Sequence, residues 1–263
     1  MILILGPRGT LGSAVGAQLE ALGEDYQTTY LRTHVWQDMK RVLSQLPRRS
    51  VIINCAGDIH RDPIDEDRMF ASNVVGPLVV SSLAELYGLF VLHVSTDCVF
   101  HGGFGEIHKV DSPTSPADFY GYTKTLGESH ASDIVNVRTS FIAPNQGIWA
   151  DVREGKPLVG WSGVYWSGGT VGFVAREIAM LALRMHVIEG DSVDVIDGVV
   201  NVDGNRIVHL ATDIPISKYD VLRTLAPHKP IRNEPFPCYS RALEPTITMP
   251  PLLEQFASEG ISG

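Results

Sequence analysis

The sequence predicts an α/β fold, a doubly wound parallel sheet with a small C-terminal lobe, and three features of the 263-residue chain carry that prediction. Short apolar runs of strand character recur, amphipathic stretches of helix length separate them, and a glycine-rich loop follows the first run directly. Ile2-Leu3-Ile4-Leu5 reads as the first strand, because an unbroken apolar run ahead of a glycine suits a strand covered on both faces. A helix is expected over 12–22, and a second strand over 25–30 ending at Leu31-Arg32. The amphipathic stretch 36–45 reads as the next helix. Third and fourth strands are expected at 51–54 and 89–95, with a helix over 66–87 between them. A helix over 120–131 and a fifth strand over 134–138 complete a dinucleotide-binding domain over 1–143. The pattern then changes: residues 144–169 are rich in Gly and Trp, and the segment 213–263 turns Pro-rich from Pro227 onward. These two segments are read as a substrate lobe. Between them, a helix over 170–185 and a strand over 205–210 are expected to rejoin the sheet, so that 170–212 belongs with the first domain.

Composition narrows the partners. A net charge of −9 with no Lys/Arg run argues against a broad footprint on nucleic-acid phosphates. The long apolar stretch 171–187 is broken by Arg176, Glu177 and Arg184, so no membrane partner is expected. No cleavable segment separates Met1 from the glycine loop, which predicts a cytoplasmic location. Cys55, Cys98 and Cys238 are odd in number and lack C-x-x-C spacing, so neither a disulfide nor a metal site is expected. Cys98, His101 and His108 lie close together, but no fourth ligand follows at zinc spacing.

Gly6-Pro7-Arg8-Gly9-Thr10-Leu11-Gly12 lies between the first strand and the first helix. In that context, glycines bring backbone N–H groups of Gly6, Gly9, Thr10, Leu11 and Gly12 against a pyrophosphate, giving a Rossmann-type cofactor site. NAD binders carry a carboxylate roughly 20 residues past such a loop, to accept bonds from the ribose hydroxyls. Here the second strand ends in Arg32 instead. With Arg8 from the loop, that arginine can pair with a 2′-phosphate, so NADP(H) is preferred over NAD(H), which the site could still admit. Asn54-Cys55-Ala56-Gly57 follows the third strand, and its small residues let the backbone approach the same ligand.

Tyr120-Gly121-Tyr122-Thr123-Lys124 sets Tyr120 and Lys124 one helical turn apart on one face. Carbonyl reduction needs a proton donor for the developing alkoxide, and a phenol serves near neutrality when nearby positive charge stabilises its phenolate. Lys124 is expected to supply that charge. Thr96 and Asp97 end the fourth strand at the carboxyl edge, where doubly wound sheets bind ligands, and the Thr96 hydroxyl can bond a substrate carbonyl. Arg241 can take a diphosphate bidentately. Asn73 is read as orienting a water or a backbone group, or as packing its helix. Trp161, Tyr165 and Trp166 are read as stacking on a base or as lobe packing. His93, within an apolar strand, is read as a satisfied core histidine.

Taken together with Asn73-Val74-Val75-Gly76-Pro77, Ser95 to Phe100, Tyr120 to Glu128 and Arg138-Thr139-Ser140, these motifs resemble extended short-chain dehydrogenase/reductases in order and spacing. Ile216-Ser217-Lys218-Tyr219 and Ser240-Arg241-Ala242-Leu243 are also similar to C-terminal segments of the dTDP-4-dehydrorhamnose reductase group. The resemblance implies catalysis by Thr96, Tyr120 and Lys124 and a substrate contact at Asp97. It further implies a stacking aromatic at Phe141, and cofactor contacts from Ser95 and, on the adenine side, Asp38. It implies NADPH-dependent reduction of the 4-keto group of a nucleoside-diphosphate 4-keto-6-deoxyhexose, and leaves a homo-oligomer open. Two departures stand out: Cys98 where a Tyr is common, and Val35 where an Asp often precedes Asp38. A thiol without an activator is a poor base, which argues against the dehydratases that carry Glu at that point. An epimerase sharing the triad, or a non-catalytic NADP-binding regulatory subunit, remain the alternatives.

Overall fold

The computed structural model of the chain describes residues 1–59, 64–103, 105–188, 193–235 and 239–261. Its centre is an eight-stranded sheet of β1 (Ile2–Leu5), β2 (Tyr26–Thr29), β3 (Val51–Asn54), β4 (Phe90–Thr96), β5 (Ile134–Thr139), β6 (Val200–Val202), β7 (Asn205–Thr212) and β8 (Ile247–Met249). The order is β6-β7-β5-β4-β3-β1-β2, with β8 paired to the far end of β7. All neighbours are parallel except the β6–β7 hairpin, whose turn residues Asp203 and Gly204 both take positive φ, as a tight hairpin turn requires.

Side chains alternate across the strands, and this decides where the helices pack. Ile2, Ile4, Val51, Ile53 and Leu92 form one core with Val15 and Leu19 of α1 (Thr10–Ala21) and Ile178 and Met185 of a helix at Val171–Val187. Leu3, Leu5, Ile52 and Val91 face the other way, against Met39 and Leu43 of α2 (Trp36–Leu43) and Val80, Leu83 and Ala84 further along. The unbroken apolar strands are thus buried on both faces.

The helix expected over 66–87 is continuous but not uniform: α3 (Glu66–Phe70) passes through a π-helical turn at Ala71–Val75 into α4 (Gly76–Tyr87). Its 22 residues are long and apolar enough to cross a membrane. Half of the apolar window is buried inside the fold, which accounts for its composition. The helix stops at Gly88, whose φ of 63° gives the left-handed cap. The next helix, α5 (Phe119–Gly127), ends four residues before the expected 131. Glu128 leaves the helix in extended conformation and pairs with Arg138 of β5.

Beyond β5, α6 (Gly147–Arg153), α7 (Val171–Val187), α8 (Lys218–Leu225) and α9 (Leu252–Ser258) follow. Residues 158–161 pair with 231–234, and 164–166 pair with 216–217 and 239–240. Val152, Leu158, Val221, Leu222, Leu225, Leu252 and Phe256 form a separate core under them. Residues 205–212 do lie in the main sheet, parallel to β5. The division at 213 is not clean, however: β8 returns from the C-terminal segment to pair with residues 210–212.

Candidate active site

The site begins where β1 turns into α1. Gly6 has φ of 75°, and a Cβ there would sit 2.8 Å from the Ala56 backbone, so the loop rests directly on the end of β3. A Cβ on Gly12 would meet the Gly6 carbonyl oxygen at 2.3 Å. Only glycine permits either approach. α1 starts with no side-chain cap and no acidic residue in its first turn, leaving N–H groups available for an anion. Asn54 lies beneath the loop: its Oδ1 accepts the Ala56 N–H at 3.2 Å and its Nδ2 reaches His93 Nδ1 at 3.2 Å. It is fully buried and supports the cleft floor from below. Among the described residues His93 is only half satisfied, since its Nε2 has no partner there, and burial holds the imidazole neutral.

One end of the cleft, about 310 Å³, is lined by Gly6, Arg8, Gly9, Tyr30, Arg32, His34 and Ala56 among others, with no carboxylate among the described residues. The Arg8 guanidinium sits 4.3 Å from the Tyr30 ring centroid, which orients it there. Asp38 is not part of this wall: it lies in the first turn of α2 and pairs with Arg41 at 3.4 Å.

The middle chamber, about 420 Å³, brings together Gly9, Thr10, Leu11, Ala56, Gly57, Ser95, Thr96, Asp97, Tyr120, Lys124 and Phe141. α5 comes this close because Gly121 and Gly127 lack side chains. A Cβ on the first would be 2.2 Å from the Cys98 carbonyl oxygen, and on the second 2.1 Å from that of Asn73. Asp118 caps α5 by accepting the Gly121 N–H at 2.7 Å. Thr96 Oγ1 donates to Asp97 Oδ1 at 3.1 Å and accepts the Cys98 N–H at 3.2 Å. Lys124 is buried, with Nζ donating to the Val94 carbonyl at 2.7 Å. Burial lowers its pKa to about 8, with Glu128 and Cys55 opposing the shift.

Tyr120 departs from the expectation of a depressed phenol. Burial, reinforced by Cys98 and by the carboxylates of Asp97 and Asp118, pushes its pKa up, while Thr96 opposes. The phenol is therefore protonated at neutral pH, the form a proton donor needs. Burial first, and then Asp97, also raises the Cys98 thiol to about 12, which disqualifies it as a base.

Two buried networks hold this chamber. Asn73, in the π turn, accepts the Asp58 N–H at 2.7 Å and donates to the Asp58 carbonyl at 2.9 Å and to Thr123 Oγ1 at 3.1 Å. It clamps the loop after β3 to α5, so it orients backbone, one of the roles read from the sequence. Glu128 takes Arg138 on both oxygens, at 2.9 and 2.7 Å, and the Ser95 hydroxyl at 2.7 Å. The Ser95 hydroxyl is thereby turned away from the cleft.

The third chamber, about 320 Å³, shares Asp97, Cys98, Ser140 and Phe141 with the middle one. Tyr165, Trp166, Lys218, Tyr239 and Arg241 complete much of its wall, whereas Trp161 lies behind Lys218. Arg241 Nη1 contacts Cys98 Sγ at 3.0 Å. Burial raises the Asp97 carboxyl above its ordinary value, with Arg241 opposing. Sequence reasoning missed Gln146, which bonds Thr10 Oγ1 from the lobe side, and gave no site role to Lys218 or Tyr239. No motif marks Gln146, and within Ile216-Ser217-Lys218-Tyr219 nothing local sets Lys218 apart.

The family described as RmlD substrate binding domain matches residues 1–147. A dTDP-4-dehydrorhamnose reductase of Streptomyces griseus is 30% identical over 138 residues, 51% of this chain and 45% of that protein. The β subunit of methionine adenosyltransferase 2 of Xenopus tropicalis is 32% identical over 138 residues, 48% of this chain and 41% of its own length. The matched stretch is thus less than half of either relative. In three dimensions, a dTDP-4-dehydrorhamnose reductase from Bacillus anthracis in complex with NADP superposes with a TM-score of 0.78 at 18% identity. That superposition covers 98% of this chain and 96% of the other.

Proposed function

The chain belongs to the RmlD substrate binding domain family, and from that membership we propose that it is an NADPH-dependent reductase of nucleoside-diphosphate 4-keto-6-deoxyhexoses. The observation that carries the reading is the meeting of Thr96, Tyr120 and Lys124 in one chamber, between a glycine-lined cradle and a cationic pocket. The cradle fits a dinucleotide, because Gly6 and Gly12 let the loop fold tightly onto the Ala56 backbone and onto itself, so that Gly9, Thr10 and Leu11 at the uncapped N-terminus of α1 line the chamber. Gly6, Gly9, Thr10, Leu11 and Gly12 would hold its pyrophosphate, Ala56, Gly57 and the Ser95 backbone its central part, and Arg8 and Arg32 a 2′-phosphate.

Such a cofactor, when bound, supplies hydride to a carbonyl carbon. This chain's residues do the rest. Thr96 donates a hydrogen bond to the substrate's carbonyl oxygen after exchanging its contact with Asp97. Tyr120 transfers its proton to that oxygen as the carbon is reduced, so the ketone becomes an alcohol and a phenolate remains. Lys124 stabilises the phenolate until solvent returns the proton. Phe141, at the junction of the two chambers, would pack on the sugar, and Asp97 would bond its hydroxyls.

The test is NADPH consumption against a panel of dTDP-, UDP- and GDP-linked 4-keto-6-deoxysugars, with turnover expected for at least one nucleotide. The similarity to the methionine adenosyltransferase subunit supports a second reading, a non-catalytic dinucleotide-binding subunit. No turnover across the panel, with NADPH still bound, would favour it. Oxidised cofactor retained through purification would favour an epimerase.

A further inference from the structure

We infer that Lys218, paired with Arg241, is a substrate-binding residue of this chain that grips the diphosphate of a nucleoside-diphosphate ligand in the third chamber. The inference deepens the reductase reading and rests on it for the identity of the ligand.

Both cations line the same chamber, next to the one that holds Tyr120. Neither is held in a tight ion pair among the described residues, although the Asp97 carboxyl lines the same chamber. Among the described residues Lys218 makes no ion pair, and the nearest acid on its own helix, Asp220, accepts the Ser217 hydroxyl at 2.6 Å. Among the described residues the ion pair of Arg241 is with Asp118, at 3.9 Å. The Lys218 ammonium lies 5.1 Å from the Trp161 ring centroid, so an aromatic face positions it without neutralising it. Burial, followed by the charge of Arg241, lowers the Lys218 pKa, while Asp97 and Cys98 oppose. Two partly dehydrated cations sharing a wall favour an anion that brings two negative groups, because it offsets both the lost hydration and their mutual repulsion. Tyr165 and Trp166 border the same space, which gives an attached base an aromatic surface. The cofactor's pyrophosphate has its own cradle at the glycine loop, so it does not compete for this pair.

The test measures calorimetric affinity for UDP and for dTDP, with NADP saturating, in the wild type, Lys218→Met and Lys218→Arg. Methionine keeps most of the stem against Trp161 and removes the charge. The expected result is about a tenfold or greater loss for Lys218→Met, partial recovery for Lys218→Arg, and unchanged NADPH affinity in both. Affinities within about twofold of wild type for Lys218→Met would overturn the inference and leave the reductase reading intact. Failure of wild type to bind either nucleotide would also overturn it. Lysine-dependent nucleotide binding without turnover of any keto sugar would instead sink the reductase reading and keep the site.

Discussion

In the proposed reaction, Tyr120 and Lys124 divide the chemistry between them. Tyr120→Phe keeps the ring in its half-buried place and removes only the proton donor, so the fold and NADPH affinity should survive. General acid catalysis is worth typically 10²–10⁴-fold, and a loss of that order in kcat, measured by NADPH consumption, is the expected outcome. Near-full activity in this variant would remove the assignment. Lys124 sets the alkaline limit. Its lowered pKa, about 8, means that the buried ammonium loses its proton as pH rises through that value, and with it the charge that steadies the phenolate. kcat/KM should therefore fall above about pH 8, and a profile flat to pH 10 would contradict this. The stability sign is opposite: between that value and the ordinary lysine pKa the unfolded chain binds more protons, so this group makes the fold more stable as pH rises. On the same proposal, Arg8 and Arg32 decide the cofactor. A charge-assisted bond contributes about 1.5–3 kcal/mol, so NADPH should bind about ten- to a hundredfold more tightly than NADH in calorimetry. Equal affinities would show that neither arginine meets a 2′-phosphate.

At the scale of elements, the site depends on how closely α5 lies against the end of β4. Gly121→Ala places a methyl 2.2 Å from the Cys98 carbonyl oxygen, so helix or strand end must move. Overpacking of this kind costs about 1–3 kcal/mol, read as a lower midpoint in denaturant. Because displacement of the catalytic groups by ~1 Å can cost about 10²-fold, kcat should fall more than NADPH affinity does. Unchanged stability and rate would mean that α5 has room the structure does not show. The sheet was legible in the sequence because its strands are buried on both faces and so read as unbroken apolar runs; 2–5 and 51–54 fall on the observed bounds. The glycine loop and the Tyr-x-x-x-Lys pair were legible because their spacing is local. The early end of α5 was not, since it depends on Glu128 meeting Arg138 across the chain. The π turn at Asn73 was invisible for the same reason: its partners, Asp58 and Thr123, come from two other elements.

Across the whole molecule, the cleft runs from Arg8 and Arg32, past Lys124 and Tyr120, to Arg241 and Lys218, and its walls come from both the sheet and the C-terminal segments. The far wall was the least legible part. Residues 158–161 find their partners at 231–234, and 164–166 at 216–217 and 239–240, pairings with no local periodicity to announce them. Arg241 was singled out by its chemistry and lines the third chamber, whereas the places of Lys218 and Gln146 along the cleft needed the assembled chain. This arrangement makes one claim above the others: hydride passes in the middle chamber to the keto carbon of a sugar held from the lobe side. NADPH carrying deuterium at the transferable position, incubated with the wild type and the preferred 4-keto sugar nucleotide, tests it most directly by mass spectrometry of the product. The account predicts a single deuterium fixed on the sugar carbon that bore the ketone, with loss of that label in Tyr120→Phe over the same time. A consumed keto sugar without deuterium, or label retained entirely in the cofactor, would contradict it.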